Sequence, residues 1–229
     1  MTKMIVIEDD FYPNVDEVRE QVLKMFFHPG VKGKKLMFAG QRTLGTFSTA
    51  NRLFCKNKIE KLINRKIIHF PVNNSNASFT LGKEHSSDGT PYKNWIHQDK
   101  GNHETDRSKH LQAQMFAAVL YLTPNDIAPS LKYGTGLFSD LQTHKNWASK
   151  SFEYAKTKLF QNQVDDTDEN FKLHTYVGNM YNRIVIYPAT YWHAPFNPGF
   201  GHSKENGRLI QIFFFYAERS GVEKGYEEE

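Results

Sequence analysis

Residues 207–216 read GRLIQIFFFY, and the alternation within them points to the fold. Successive side chains on a β-strand face opposite ways. Arg208, Ile210, Ile212 and Phe214 therefore share one face. A charge in line with three large apolar residues is unusual, because a buried arginine needs a carboxylate or phosphate partner. If that face lines an interior, the partner of Arg208 is expected to be a ligand.

The same two-residue period recurs upstream. ASFTLG (77–82), NWIHQD (94–99), QMFAAVLYLT (114–123), TGLFSD (135–140) and NRIVIYPA (182–189) are strand-like. They are rich in aromatic and β-branched residues and bounded by Gly, Pro and Asn. Near the N-terminus, MIVIEDDFYP (4–13) reads as a short strand and turn. NVDEVREQVLKMFF (14–27) is an expected helix with Val15, Val18, Val22 and Met25 as its apolar stripe. Asn14 is the expected N-cap, with Glu17 at capping-box spacing. HPGVKGKK (28–35) is expected to end that helix, with VKGKK as a solvated turn. A second helix is expected over about 51–65, with Leu53, Ile59, Leu62 and Ile63 apolar. Helices first and then many strands argue against a parallel βαβ sheet. They favour an antiparallel sandwich or barrel with helices packed on one side. There is no internal repeat or linker, so one domain over residues 1–229 is expected. A polar stretch at 140–172 is an expected insertion or lid over the site.

Composition narrows the class. The chain has 229 residues, 39% of them hydrophobic, with 18 Phe and 11 Tyr, enough for an aromatic-rich core. The net charge of +4 is spread along the chain, a weak case for a nucleic-acid surface. No apolar run approaches bilayer length, and MTKMIVIEDDFYP lacks the apolar stretch of a secretory signal. The single cysteine, Cys55, excludes an internal disulfide and fits a reducing, cytoplasmic setting. Nothing around Cys55 supports a nucleophile.

The chemistry centres on His97 and Asp99. On a strand, residues two apart project together, so the pair can share an ion. Roughly one His-x-acid pair is expected by chance from 10 His and 25 acids, so the pair alone decides little. Its company decides more. IYPATYWHAPFNPG (186–199) puts His193 after an apolar strand and a turn, and the next strand begins at Arg208. Two His and one carboxylate on one side of an ion leave adjacent positions open, the arrangement of non-haem Fe(II) oxygenases. An arginine nearby can grip the far carboxylate of a bidentate cosubstrate.

The order His-x-Asp, then His about a hundred residues on, then Arg on the following strand resembles the Fe(II)- and 2-oxoglutarate-dependent dioxygenases. It is most similar to the prolyl-hydroxylase-like branch and its uncharacterised bacterial and phage members. AAVLYLTPND (117–126) resembles the strand whose tyrosine, here Tyr121, contacts the 2-oxoglutarate carboxylate. YGTGLF (133–138) resembles the family's Gly-Gly-x-Leu-x-Phe turn, with Thr135 between its glycines, and NRIVIYPATYWH (182–193) the strand that delivers the distal His. The resemblance is weakest over 26–75 and 140–172.

The resemblance implies a double-stranded β-helix, a jelly roll with N-terminal helices on the outer face of its larger sheet. It implies Fe(II) held by His97, Asp99 and His193, and 2-oxoglutarate held by Arg208 and Tyr121. O2 completes the set, and hydroxylation of an unactivated C–H with release of succinate and CO2 is the default outcome. Because Asp99 is present, no halide site takes its place. The gap from His193 to Arg208 is long, and Arg183 is a rival for the cosubstrate. Other readings of the same strands are a cupin-like metal-binding module without turnover, or another metalloenzyme with two His and one carboxylate. The substrate is unreadable, with a small molecule or peptidyl residue favoured over nucleic acid. Tyr92, Trp95, Arg42, Phe138 and Trp192 are candidates for the rim of its pocket. The other histidines, among them His85, His103, His110, His144, His174 and His202, read as exposed.

Overall fold

A computed structural model describes residues 5–32, 35–71, 76–82, 96–99, 113–128, 131–140, 171–195 and 199–218. The strands are β1 (Val6–Glu8), β2 (His28–Lys32), β3 (Lys35–Arg42), β4 (Ile67–His69), β5 (Ser78–Gly82), β6 (Ala113–Tyr121), β7 (Thr135–Asp140), β8 (Phe171–Val177), β9 (Ile184–Pro188), β10 (Trp192–Pro195) and β11 (Arg208–Glu218). The helices are α1 (Val15–Lys24) and α2 (Thr49–Ile63).

Among the described residues, one sheet runs β1-β9-β6-β11-β5-β3-β2, with β4 beside the end of β11. A second sheet runs β10-β7-β8. Every pairing is antiparallel. The fold is mostly β, a double-stranded β-helix, as expected. The resemblance was weakest over the segment that holds β2 and β3, and here the expectation fails. HPGVKGKK does not merely end α1, because His28–Lys32 form β2 and Lys35 opens β3. A Pro, a Gly and a lysine run hide strand character at a sheet edge, where such residues are tolerated.

The strand β11 is central and buried on both faces. Its outer residues Leu209, Phe213 and Phe215 join a core with Phe79, Phe116 and Leu120. Phe215 lies opposite Phe116 in register, and the rings stack at 5.6 Å. Each such buried ring contributes about 1.5–3 kcal/mol by leaving water. The helices cover this outer face with Val18 and Val22 of α1 and Cys55, Ile59 and Ile63 of α2. The inner residues Ile210 and Ile212 meet Tyr121, Val185, Tyr187 and, from the small sheet, Leu137. The space between the sheets is the inner core, and it receives Arg208.

The helix expectations need two corrections. Asn14 occupies the N-cap of α1, but its side chain does not cap; its Nδ2 donates to Glu17 Oε2 at 2.8 Å. Helix α2 begins earlier than expected because Ser48 caps it, accepting from Asn51 N at 3.0 Å. Its buried stripe is Asn51, Cys55, Ile59 and Ile63, and Leu53 is exposed. The polar Asn51 sits in that stripe because partners meet it there. Asn51 Nδ2 donates to Tyr12 Oη at 2.9 Å, and Tyr12 Oη donates to Gln211 Oε1 at 2.8 Å. Gln211 Nε2 donates to Ala77 O at 3.1 Å, so the polar seam inside the outer core is partnered. Cys55 lies 2.9 Å from Tyr12 Oη, and burial pushes its thiol up to about 12, which leaves it inert as a nucleophile. No helix among the described residues is long and apolar enough to cross a membrane.

Candidate metal and cosubstrate site

His97 and His193 are brought together by backbone pairing. They form an isolated antiparallel bridge, with His97 N to His193 O at 2.9 Å and His193 N to His97 O at 2.8 Å. The segment continues along the turn after β9. Asp99 N donates to Ala189 O at 2.9 Å, and Gln98 Nε2 donates to Thr190 O at 2.7 Å. Gln98 is thereby the anchor between the two site residues that flank it.

The side chains converge. One donor atom each from His97, Asp99 and His193 lies within 4.8 Å of the others. His193 Nε2 is 3.1 Å from Asp99 Oδ2, and His97 Nε2 is 3.7 Å from Asp99 Oδ1. His193 is buried, and its Nδ1 sits 2.9 Å from Tyr191 O. A carbonyl can only accept, so Nδ1 carries a proton, and in the neutral ring Nε2 is left as the ligating atom. The Nδ1 contact to Tyr191 O is the outer-shell support typical of a ligating imidazole. Burial pulls the His193 pKa down, but the charge and hydrogen bond of Asp99 outweigh it, and the net shift is upward. Burial pushes Asp99 up, but His193 and His97 outweigh it, and the carboxyl ends below its ordinary value. Two imidazoles and an ionised carboxylate on one side of a point are a donor set that suits Fe(II).

At the start of β11, Arg208 is 4% exposed. Its Nε donates to Tyr133 O at 2.8 Å, and its Cζ lies 5.8 Å from the Tyr121 ring centroid. Burial lowers its pKa, while Tyr121, Tyr176 and Tyr187 act the other way. No acidic side chain pairs with it among the described residues. Tyr121 is fully buried, with its Oη 2.7 Å from Thr135 Oγ1. The tight turn before β7 makes that contact possible: a Cβ on Gly134 would fall 1.9 Å from Val177 O.

The rival arginine is occupied elsewhere. Arg183 Nε and Nη2 hold Asp9 Oδ1 and Oδ2 at 2.6 and 2.9 Å, a bidentate pair at the protein surface. Arg183→Ala is expected to cost about 1 kcal/mol of stability or less. A thermal melt and a 2-oxoglutarate titration check this; lost cosubstrate affinity would reopen the choice between the arginines.

The rim candidates divide. Phe138 and Trp192 pack with Ile96 and Phe171 on the face of the small sheet away from His193, and Trp192 meets Phe171 edge-on at 5.0 Å. They are corrected to packing residues, because Trp192 alternates with His193 along β10. Arg42 sits opposite Thr80 in register, one strand from Ile210, with Nε donating to Thr80 Oγ1 at 3.2 Å. Burial lowers its pKa to about 10 against the pull of Asp99. Tyr92, Trp95 and residues 141–170 of the lid expected over 140–172 lie outside the described residues. His85, His103, His110 and His144 do too, whereas His174 and His202 are exposed as expected. The sequence reading passed over Tyr187, whose ring centroid is 4.8 Å from that of His193. Alternation with Val185 along β9 would have placed it inward.

No protein-family profile matches the chain, and no curated protein sequence matches it at a significant level. Solved structures do match. HygX from Streptomyces hygroscopicus with nickel and 2-oxoglutarate bound aligns at a TM-score of 0.54 and 11% identity, over 96% of this chain and 84% of that one. The same protein with iron bound aligns at 0.52 and 12% identity, over 96% and 84%. A prolyl hydroxylase from Trichoplax adhaerens, in complex with a hypoxia inducible factor oxygen degradation domain peptide fragment, aligns at 0.50 and 11% identity, over 95% and 84%. With helices on the outer face of the large sheet and the His97–His193 bridge beside β10 of the small one, the chain has the double-stranded β-helix fold, similar to that of HygX and of the Trichoplax prolyl hydroxylase.

Proposed function

We propose that the protein is an Fe(II)- and 2-oxoglutarate-dependent dioxygenase that hydroxylates an unactivated C–H of its substrate. The observation that carries this reading is Arg208, a buried cation with no acidic partner among the described residues, on the strand whose inner residues pack with Tyr187, the tyrosine 4.8 Å from the His193 ring. An uncompensated charge in such a place costs several kcal/mol, on the order of 3–5. A dicarboxylate ligand offsets that cost, whereas a binding module without cosubstrate has no use for the arginine.

His97, Asp99 and His193 would hold Fe(II), with the proton on His193 Nδ1 fixing the ring for ligation through Nε2. Arg208 would pair with the distal carboxylate of 2-oxoglutarate, and Tyr121 would stand beside it with Thr135 orienting its hydroxyl. When bound, iron, 2-oxoglutarate and O2 supply the oxidising power, and the co-products are succinate and CO2. The apolar residues Ile210, Ile212, Val185 and Leu137 exclude water and leave the Arg208 charge less screened.

The test is an anaerobic titration with Fe(II) and then 2-oxoglutarate, followed by admission of oxygen and measurement of succinate. Saturable binding of both, with succinate release in wild type and none in His97→Ala, is the expected result. Metal binding with no 2-oxoglutarate affinity would replace the reading by a cupin-like module or another metalloenzyme. No metal binding would end it.

A further inference from the structure

The inner core holds a hydroxyl that the proposed chemistry has not yet used. Tyr187 lies on β9 opposite Ala117 of β6, on the inner face with Val185. It is 2% exposed, and its hydroxyl makes no hydrogen bond to any described residue. A hydroxyl on an inner face with no protein partner is available to hydrogen-bond a ligand. Its surroundings say where that ligand lies. The ring stands 4.8 Å from His193 and within electrostatic reach of both Asp99 and Arg208. Tyr191 is a contrast: its hydroxyl is buried and unpartnered, and burial alone perturbs it, with neither charge acting on it. The ring of Tyr187 therefore stands on the side of the imidazole cluster, while Arg208 lies against Tyr121.

We propose that Tyr187 donates a hydrogen bond to the metal-proximal end of the bound 2-oxo acid, orienting the carboxylate beside the keto group. The proposal rests on the cosubstrate reading above. It assigns the two ends of the ligand to different residues, with charge pairing at Arg208 and a neutral hydroxyl donor near the iron. A neutral donor suits that end, because burial keeps the Tyr187 hydroxyl protonated far above neutral pH. It can orient a carboxylate without competing with the metal for it as a second cation would.

The test is Tyr187→Phe, which deletes the hydroxyl and keeps the ring. The metal-free variant is expected to melt at or above the wild-type temperature, because the lost group had no protein partner. Its 2-oxoglutarate affinity with Mn(II), a redox-silent substitute, is expected to fall about tenfold, the share of one hydrogen bond to a charged group. In the anaerobic Fe(II) complex the visible charge-transfer band is expected to shift, because a donor near the chelating oxygens has gone. A melting temperature well below wild type would assign the hydroxyl a structural partner and overturn the proposal. Unchanged affinity with an unchanged band would overturn it too. If wild type itself binds no 2-oxoglutarate, the cosubstrate reading fails instead, so the two failures are separable.

Discussion

His193→Ala is expected to abolish iron binding at neutral pH, and succinate release with it. The residue supplies the most buried donor of the three, with its tautomer set by Tyr191 O. Losing only an outer-shell partner costs roughly 10–100-fold in metal affinity, so losing the ligand itself costs more. The protein should still fold, because the His97–His193 bridge is made by backbone atoms that alanine keeps. The wild-type site should also show a pH dependence of definite sign. Asp99 holds the His193 pKa above its ordinary value in the metal-free protein. Below that raised pKa the imidazole is protonated, and a metal must displace the proton to bind. Metal affinity is therefore expected to fall on acidification, beginning above the pH at which an ordinary histidine protonates. Anaerobic Fe(II) titration calorimetry across pH measures both effects. A His193→Ala protein that bound iron like wild type would remove the metal centre from this account.

Arg208→Met is expected to separate cosubstrate binding from metal binding. Methionine fills much of the same space without the charge. Truncating one partner of a buried ion pair costs about 3–5 kcal/mol, so 2-oxoglutarate affinity should fall by roughly two to four orders of magnitude. Fe(II) affinity should be unchanged, since Arg208 contacts backbone carbonyls and tyrosines rather than the cluster. The free protein gives the opposite sign. There the arginine is a desolvated charge without an acidic partner among the described residues, so its replacement is expected to be neutral or stabilising. A ligand-free melt that rises, with cosubstrate affinity that collapses, is the signature of a residue kept for binding. Equal 2-oxoglutarate affinity in the two proteins would exclude Arg208 from the cosubstrate site.

Strand β11 shows how far local pattern reaches. Its alternation put Arg208, Ile210 and Ile212 on one face before any partner was known, and the inner core holds them together. The site order was equally legible, because two histidines, an aspartate and an arginine on strands or strand turns are positions along a chain. Helix α2 shows where pattern stops. Its stripe runs through Asn51 and Cys55 rather than Leu53, because Tyr12 and Gln211, far off in sequence, arrive to satisfy Asn51.

Periodicity assigns a side chain to a face, and that is a property of the backbone alone. What stands opposite that face is a property of the packed chain. Arg183 and Arg208 each sit at the start of an inner strand and look equivalent in sequence. Folding gives Arg183 to Asp9, which lies 174 positions away, and leaves Arg208 among tyrosines. The same holds for Tyr187, an ordinary strand tyrosine until β10 sets His193 against its ring. Face and order are therefore written locally, while the partner of each polar group, and with it the difference between a salt bridge and a binding residue, exists only once distant strands have met.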